Sequence, residues 1–468
     1  MKTPQATNAE FYSEVSTPML KPLTLVITLI CATSVLATKA FAENKSQSLV
    51  DIYNQALLHD PTLASALDAN KAAQEIIEQG KALYRPVVYF TAGANASRTD
   101  IKFIGTGVPF RGGVQTFGGY NYGVEARQPI YRKQNLVQMD QTKTQVSQAD
   151  KQLHLSQQDL MLRTTQTYFE VLIAQDKIDL INAQKAAILS QLEQAKAYFE
   201  AGNATITDVN EAQARYDLIV AQALGASNDY EIARRAVQAI TGEIPQKLAT
   251  VKADIKPNTL QQGLEKWLEV AVQNNLSIQI QQDSVKFSTQ EIERAKAGHL
   301  PTLDAVASYN DTYASSGAYG FGNRLDTAAI GVQLQIPLYE GGATSSRIRQ
   351  AALNKQKAQD DVDIARRQTE LETERAYLNL STSIAQVKAF EQASTSSQSQ
   401  VDSTSMGYDA GVRTSVDVLN AQQQLFAAKR DLLQARYSYL VNIIRLKAAS
   451  GVVTEADLTD INQQLVLR

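Results

Sequence analysis

The sequence is written twice, and this restricts the fold more than any other feature. Gly123-Val124 through Pro129-Ile130-Tyr131 return as Gly331-Val332 through Pro337-Leu338-Tyr339. Ala201-Gly202, Thr205, Asp208-Val209 and Ala212-Gln213 return, at unchanged spacing, as Ala410-Gly411, Thr414, Asp417-Val418 and Ala421-Gln422. That spacing persists to Gly242 and Gly451. Upstream, Pro86 pairs with Pro301, Lys81-Ala82 with Lys296-Ala297, and Ala56 with Ala271. Generic helical low complexity would not keep Pro and Gly in register. Residues 43–255 and 256–468 are therefore expected to be two copies of one structural unit.

Each copy reads as helix, strand, loop, strand, very long helix, turn, helix. The long helices are predicted from about Lys133 to Glu200 and from Ala343 to Asp409. At 1.5 Å per residue each is on the order of 100 Å long. The flanking helices, about 47–83, 207–242, 262–298 and 416–451, are each roughly half that length. Two of them laid end to end match one long helix, which predicts a tall antiparallel bundle. Val418, Ala421, Leu425, Ala428, Leu432, Ala435 and Tyr439 step by three and four residues. Val209, Ala212, Tyr216, Ile219, Ala223, Ala226 and Tyr230 do the same at the matching positions. This is a coiled-coil seam rich in Ala, whose small side chains allow close helix approach. An ordinary amphipathic helix explains either segment alone, but less readily the same seam twice.

The first 42 residues read as a secretory signal. Lys21 precedes an apolar run from Leu23 to Leu36, and Ala40-Phe41-Ala42 offers a small-residue cleavage site. A transmembrane anchor would need roughly 20 apolar residues. Met19 offers an alternative start. The single cysteine, Cys31, lies inside the apolar run, so the mature chain is expected to lack thiols and disulfides. Ile30 stands where a lipoprotein would carry a small residue. No later stretch has the length of a transmembrane helix, so membrane contact must come from strands.

Four segments, about 87–97, 118–128, 303–312 and 327–338, alternate with period two. Ile330, Val332, Leu334 and Ile336 interleave with Ala329, Gly331, Gln333 and Gln335; Val88, Phe90 and Ala92 face away from Tyr89, Thr91 and Gly93. Each has the length of a membrane-spanning strand, about 9–11 residues. The loops between them, about 98–117 and 313–326, are long and rich in Gly, Ser, Thr and Asn. Pro129 and Pro337 lead from strand into helix. Lipid does not tolerate open sheet edges, and the smallest common bacterial barrel has about eight strands. Four strands spanning a membrane therefore require a barrel shared between subunits. The alternative is a soluble sheet packed on the bundle, which needs an apolar partner surface that the sequence does not offer.

The segments Ala201–Val209 and Gly407–Leu419 resemble the two helix-hairpin tips of the TolC family of outer-membrane ducts. The tail, Leu440 through Gly451 and then Glu455-Ala456-Asp457-Leu458, resembles that family too. The likeness covers essentially all of residues 43–465. It lies closer to the branch that gives the family its name than to the lipid-anchored branch. The resemblance implies a mainly α protein with a membrane β-barrel part. Three chains would build a long antiparallel α-helical barrel and a shared twelve-stranded β-barrel. It implies a homotrimer in the Gram-negative outer membrane, in contact with outer-membrane lipid and spanning the periplasm. Periplasmic adaptor (membrane fusion) proteins and inner-membrane pumps of RND, ABC or MFS type would dock at its tip. The duct would passively conduct drugs, toxins or secreted polypeptides, in efflux or type I secretion.

The resemblance also implies a periplasmic gate. Asp208 and Tyr408 would form one link, and Thr207 and Arg413 another. Such charge-assisted hydrogen bonds are strong enough to hold and weak enough near water for a docking partner to break. Helix capping is an equally simple role for Thr207 and Asp208, and for Ser415 and Asp417, and the two roles are compatible. The family has two aspartate rings at its constriction. Asp417 matches the first, but Asn420 stands at the second, which weakens the expected cation selectivity. Glu211, at the matching place in the first copy, is a nearby source of acidity.

Several function classes are disfavoured. A formal charge of −3 leaves no basic footprint for nucleic acid. His59, His154 and His299 are scattered, so no zinc or catalytic cluster is expected. No phosphate-binding Gly-rich loop precedes a Lys-Ser/Thr pair, and no nucleophile–base constellation is legible. No cofactor is expected, and the chain is read as a non-enzyme. The rival readings are a non-transport periplasmic coiled-coil envelope spacer and a diffusion porin, which would be nearly all strand.

Overall fold

The computed structural model describes residues 46–104, 112–252, 255, 257, 258, 262–316 and 321–466. The expected signal, and the centres of both strand-connecting loops, lie outside them. In chain order the first elements are α1 (Leu49–His59), α2 (Pro61–Ala82), β1 (Val87–Ile101), β2 (Gly113–Tyr131), α3 (Lys133–Glu200), α4 (Ile206–Thr241) and β3 (Thr250–Val251). They are followed by α5 (Leu264–Asn274), α6 (Leu276–Lys296), β4 (Thr302–Ala314), β5 (Asn323–Gln335), α7 (Ala343–Asp409), α8 (Ser415–Ala449), α9 (Glu455–Asn462) and β6 (Leu465–Val466).

The helices are long because little interrupts them. α3 runs for 68 residues and α7 for 67, without Pro or an internal break. The turn after each helix hairpin needs a left-handed residue, and Gly202 (φ +77°) and Gly411 (φ +75°) supply it. α2 and α6 pack along the upper half of α3, where Asn70 and Gln74 reach Asp150 and Gln141 reaches Glu291. α4 and α8 pack along its lower half. The seam of α4 is buried as its spacing predicts: Ala212, Ile219 and Ala226 meet Ile181, Ile188 and Leu192 of α3.

Two of the four expected shorter helices are broken. The segment 47–83 divides at Asp60, whose extended backbone (φ −68°, ψ 117°) is what a residue before proline prefers. The segment 262–298 divides at Asn275 in nearly the same conformation (φ −65°, ψ 123°) without a proline. Each breaking residue caps the next helix: Asp60 Oδ2 accepts the Leu63 N–H at 2.9 Å, and Asn275 Oδ1 accepts the Ser277 N–H at 2.9 Å. Asp60 is buried and also accepts from Arg163 of α3 at 2.9 and 3.3 Å. Burial alone would raise the Asp60 carboxyl. The Arg163 bonds and the Leu63 amide outweigh it and hold the pKa below the usual carboxylate range.

The largest core sits at mid-height. Tyr168 and Phe169 of α3 meet edge to face at 5.6 Å, and Phe169 meets Tyr437 of α8 at 5.8 Å. Leu49 and Ile52 of α1, Leu440 and Ile444 of α8 and Leu458 of α9 complete it. β3 and β6 pair across this belt, so the tail is fastened to the segment that follows α4.

The other strands form one antiparallel sheet in the order β1-β2-β4-β5. They differ from expectation at several ends, the start of β5 at Asn323 among them. Pairing of β1 with β2 continues to Ile101 and Gly113, because polar β-formers such as Thr99, Gln115 and Thr116 sustain a ladder that a composition reading assigns to loop. β2 continues to Tyr131 through an irregularity at Pro129. β5 stops at Gln335, before Pro337, so Ile336 and Leu338 stand outside the ladder, exposed.

Gly451 ends α8 at φ +74° and lies against the α5–α6 junction. A methyl group there would come within 2.7 Å of Asn275 Cα and 2.8 Å of the Asn274 carbonyl oxygen, whereas one on Gly411 would meet open space. Gly411→Ala should cost only the left-handed strain, roughly 1–2 kcal/mol. Gly451→Ala should cost at least about 1 kcal/mol more, because backbone must also move. Denaturant unfolding of the two purified variants checks the order, and equal losses would contradict it.

Candidate functional site at the helix-hairpin tips

The residues singled out by sequence gather at one end of the bundle, in and beside the turns that lead into α4 and α8. Both helices open on the same device. Asp208 Oδ2 accepts from the Thr205 N–H at 2.9 Å and from its hydroxyl at 2.7 Å, while the Asp208 N–H donates to Thr205 Oγ1 at 3.3 Å. Thr414 and Asp417 repeat this at 2.9, 2.9 and 3.2 Å. These are reciprocal capping boxes with Asp in the third helical position. The Thr414 amide and hydroxyl, with Arg413 nearby, hold the Asp417 carboxyl below its usual range. It is therefore ionised at neutral pH.

Within one chain the two expected gate links are not hydrogen-bonded. Asp208 spends its bonds on Thr205, yet lies near enough to Tyr408 for its charge to matter there. Burial, then Tyr198, then Asp208 push the Tyr408 phenol upward, so it stays neutral. Thr207 and Arg413 are both exposed, and Arg413 lies back over Gly407.

Other residues join the two helix pairs. The Tyr198 ring of α3 rests on the Tyr408 ring of α7, centroids 5.9 Å apart. Gln191 of α3 donates to the Ser415 hydroxyl of α8 at 3.3 Å. Arg215 of α4 donates to Asn420 Oδ1 at 2.9 Å and Gln423 Oε1 at 2.6 Å, both on α8. It also binds the Glu211 carboxylate at 2.9–3.0 Å. Glu211 thus faces a cation of its own helix. Sequence reading missed these contacts. The available signal was a break in the repeat: Arg215 falls where the second copy has Gln424, and Asn420 where the first has Glu211.

Above Arg215 a cleft of about 480 Å³ opens between α3, α4 and α8. Ile181, Ile188, Ile219 and Leu419 form its apolar floor, and Lys177 and Arg430 stand at its rim. The tip thus offers breakable hydrogen bonds, fixed acidic caps and a half-apolar cleft.

Comparison with known proteins gives a consistent picture. The family model for outer membrane efflux proteins matches residues 52–243 and 267–452. The chain is 34% identical over 450 residues to the outer membrane protein TolC of Vibrio cholerae, covering 96% of this chain and 99% of that one. It is 30% identical over 422 residues to the proteases secretion protein PrtF of Dickeya chrysanthemi, covering 88% and 90%. The structure superimposes on the outer membrane protein VceC of Vibrio cholerae with a TM-score of 0.70, at 19% identity, covering 86% and 96%.

The caps make a local prediction. Thr414→Ala removes one half of a capping box and should cost the start of α8 about 1 kcal/mol at neutral pH. Amide hydrogen exchange at 415–418 should then quicken about fivefold. The Asp417 pKa is depressed by folding, so the contribution of its cap is complete above about pH 4 and is lost as pH falls through the depressed value. The gap between variant and parent should therefore narrow in acid; a gap that widens would contradict the assignment.

Proposed function

The chain belongs to the outer membrane efflux protein family, and from that premise we propose that three copies form a passive outer-membrane duct for an efflux pump or type I secretion system. The observation that carries this reading is the four-stranded sheet. β1 and β5 each leave one edge unpaired among the described residues. Register puts Val88, Phe90, Val124, Ile330, Val332 and Leu334 on one face, all exposed in the single chain, with Ile330 90% accessible. The opposite face carries Asn121, Glu125, Arg127, Ser308, Asn310 and Gln333. One face thus suits lipid and the other water.

The far end of the apolar face suits a membrane boundary. Tyr120 stacks on Tyr313 at 5.0 Å and lies 6.4 Å from Tyr122. Beneath them Asp311 accepts from Tyr122 and from Arg324, each at 2.6 Å. Aromatic girdles with paired polar groups are what barrels place at the interface. Joining β1 of one copy to β5 of the next satisfies both edges, and three copies give twelve strands. The helices offer matching surface. Leu353, Ile364, Leu371 and Leu378 are exposed on α7 at spacings of eleven and seven, a stripe suited to a second copy.

Below the barrel the α3–α4 and α7–α8 hairpins would line a tunnel through the periplasm, closed at the tips until an adaptor and its inner-membrane pump engage. Thr207, Asp208, Tyr408 and Arg413 remain the proposed gate, with links absent within one chain left to form between chains. Asp417 would supply the acidic ring of the entrance, and the neutral Asn420 the second. Drugs, toxins and secreted polypeptides are the cargo classes. An envelope spacer would have no use for a lipid-suited strand face.

Two outcomes test this. Deleting the gene should raise susceptibility to antibiotics or abolish secretion of an exported protein; no change in either would overturn the export role. In planar bilayers the purified protein should conduct, and Asp417→Ala should lower its preference for cations over anions. Unchanged selectivity would remove Asp417 from the entrance.

A further inference from the structure

We infer that Arg215 is an additional latch in this chain, fastening α4 to α8 above the tip and so helping to hold the duct closed. The inference rests on the duct reading and adds to it a residue outside the expected gate set.

The geometry distinguishes Arg215 from an ordinary surface cation. Exposed ion pairs within one helix contribute little, and the Arg215–Glu211 pair alone would be such a case. The side chain is only 24% exposed, however, and its donors are divided between two helices. Nε meets Glu211, one terminal nitrogen meets Asn420, and the other meets Gln423. Asn420 and Gln423 lie three residues apart on one face of α8, so a rigid fork spans both acceptors. A Lys, with one compact ammonium on a flexible stem, cannot reproduce that span.

The placement matters as much as the bonds. α4 packs along α3, and α8 along α7 and α3, whereas α4 and α8 touch only over a short stretch. Any motion that swings the α7–α8 hairpin away from α3–α4 must break this fork. Arg215 stands two turns beyond Asp208, roughly 10 Å up the helix. Asn420 stands one turn beyond Asp417. The latch is therefore a second tier above the capped tips.

It also gives Asn420 a physical role. Glu211 and Arg215 balance in charge, and the Asn420 carbonyl accepts from the guanidinium without adding any. An Asp at 420 would turn the fork into an interhelix ion pair, stronger than a neutral acceptor. This chain thus has a latch that is satisfied but less tight than it could be made. With three chains the effects multiply. Even a fivefold bias per chain makes opening of all three about a hundredfold less favourable, when distant sites act independently.

The test is single-channel recording in planar bilayers, using the assembled full-length protein and three variants, two of which act in opposite directions. Arg215→Gln should raise the opening frequency or mean conductance at least fivefold, and Arg215→Lys should fall between it and the parent. Asn420→Asp, with Arg215 intact, should lower the opening frequency. Thermal melting of the assembly reports folding separately. If the parent does not conduct at all, the duct reading fails first. If the parent conducts and Arg215→Gln leaves its opening unchanged, the latch is overturned. Should Arg215→Gln fail to assemble, Asn420→Asp decides: reduced opening supports the latch, and unchanged or increased opening overturns it.

Discussion

The rest of the molecule depends on an unmet hydrogen-bonding need. A strand in lipid has no water to satisfy its edge, and each unpaired backbone group there costs several kcal/mol. Among the described residues one chain supplies a four-stranded sheet with two open edges, at β1 and β5. Under the duct reading those edges find partners only on other copies. That requirement makes a shared barrel necessary, and the proposed closure by three copies would set its strand count and the width of whatever hangs below. The helical part must then be broad and hollow, and its Ala-rich seams permit this: helices that touch through small side chains can stand side by side without collapsing onto one core.

The helical part meets the opposite constraint. Uninterrupted helices on the order of 100 Å long need neighbours along their whole length. The chain answers with shorter helices above and below, joined at a belt where the large side chains concentrate. Tyr168, Phe169 and Tyr437 lie in this belt, as do the half-buried Asp60–Arg163 pair and the β3–β6 pairing that ties the tail to the segment after α4. The belt is densely packed, whereas the tips are polar and joined by few side chains. That gradient is what a gate at the far end requires, because local opening draws on the least-packed region.

Much of this was legible in the sequence. The long helices, the seams of α4 and α8 and the alternation of the strands follow from periodicity. The turns at Gly202 and Gly411 follow from the one residue that tolerates left-handed backbone. What escaped had specific physical causes. The break at Asn275 has no proline to announce it; an Asn that can cap the next helix suffices. The upper ends of β1 and β2 look like loop because Thr and Gln are polar, yet they pair in the ladder. The tip contacts of Arg215, Gln191 and Tyr198 depend on how two distant helices face each other, which spacing along either helix does not encode. Asn420 stood out as a departure from the family pattern. The structure brings it next to Arg215, the one residue of that pairing that sequence reading left unremarked.

The central claim is that the sheet is one third of a closed barrel. Its most direct measurement is a cysteine cross-link between the open edges, placing one cysteine between 88 and 96 on β1 and another between 324 and 332 on β5. The only natural cysteine, Cys31, lies in the expected signal, so the background should be clean. Oxidation in native outer membranes should yield a ladder of one, two and three chains that ends at three. A chain that stays monomeric across the whole panel, or a ladder that runs on past three, would contradict closure by three copies.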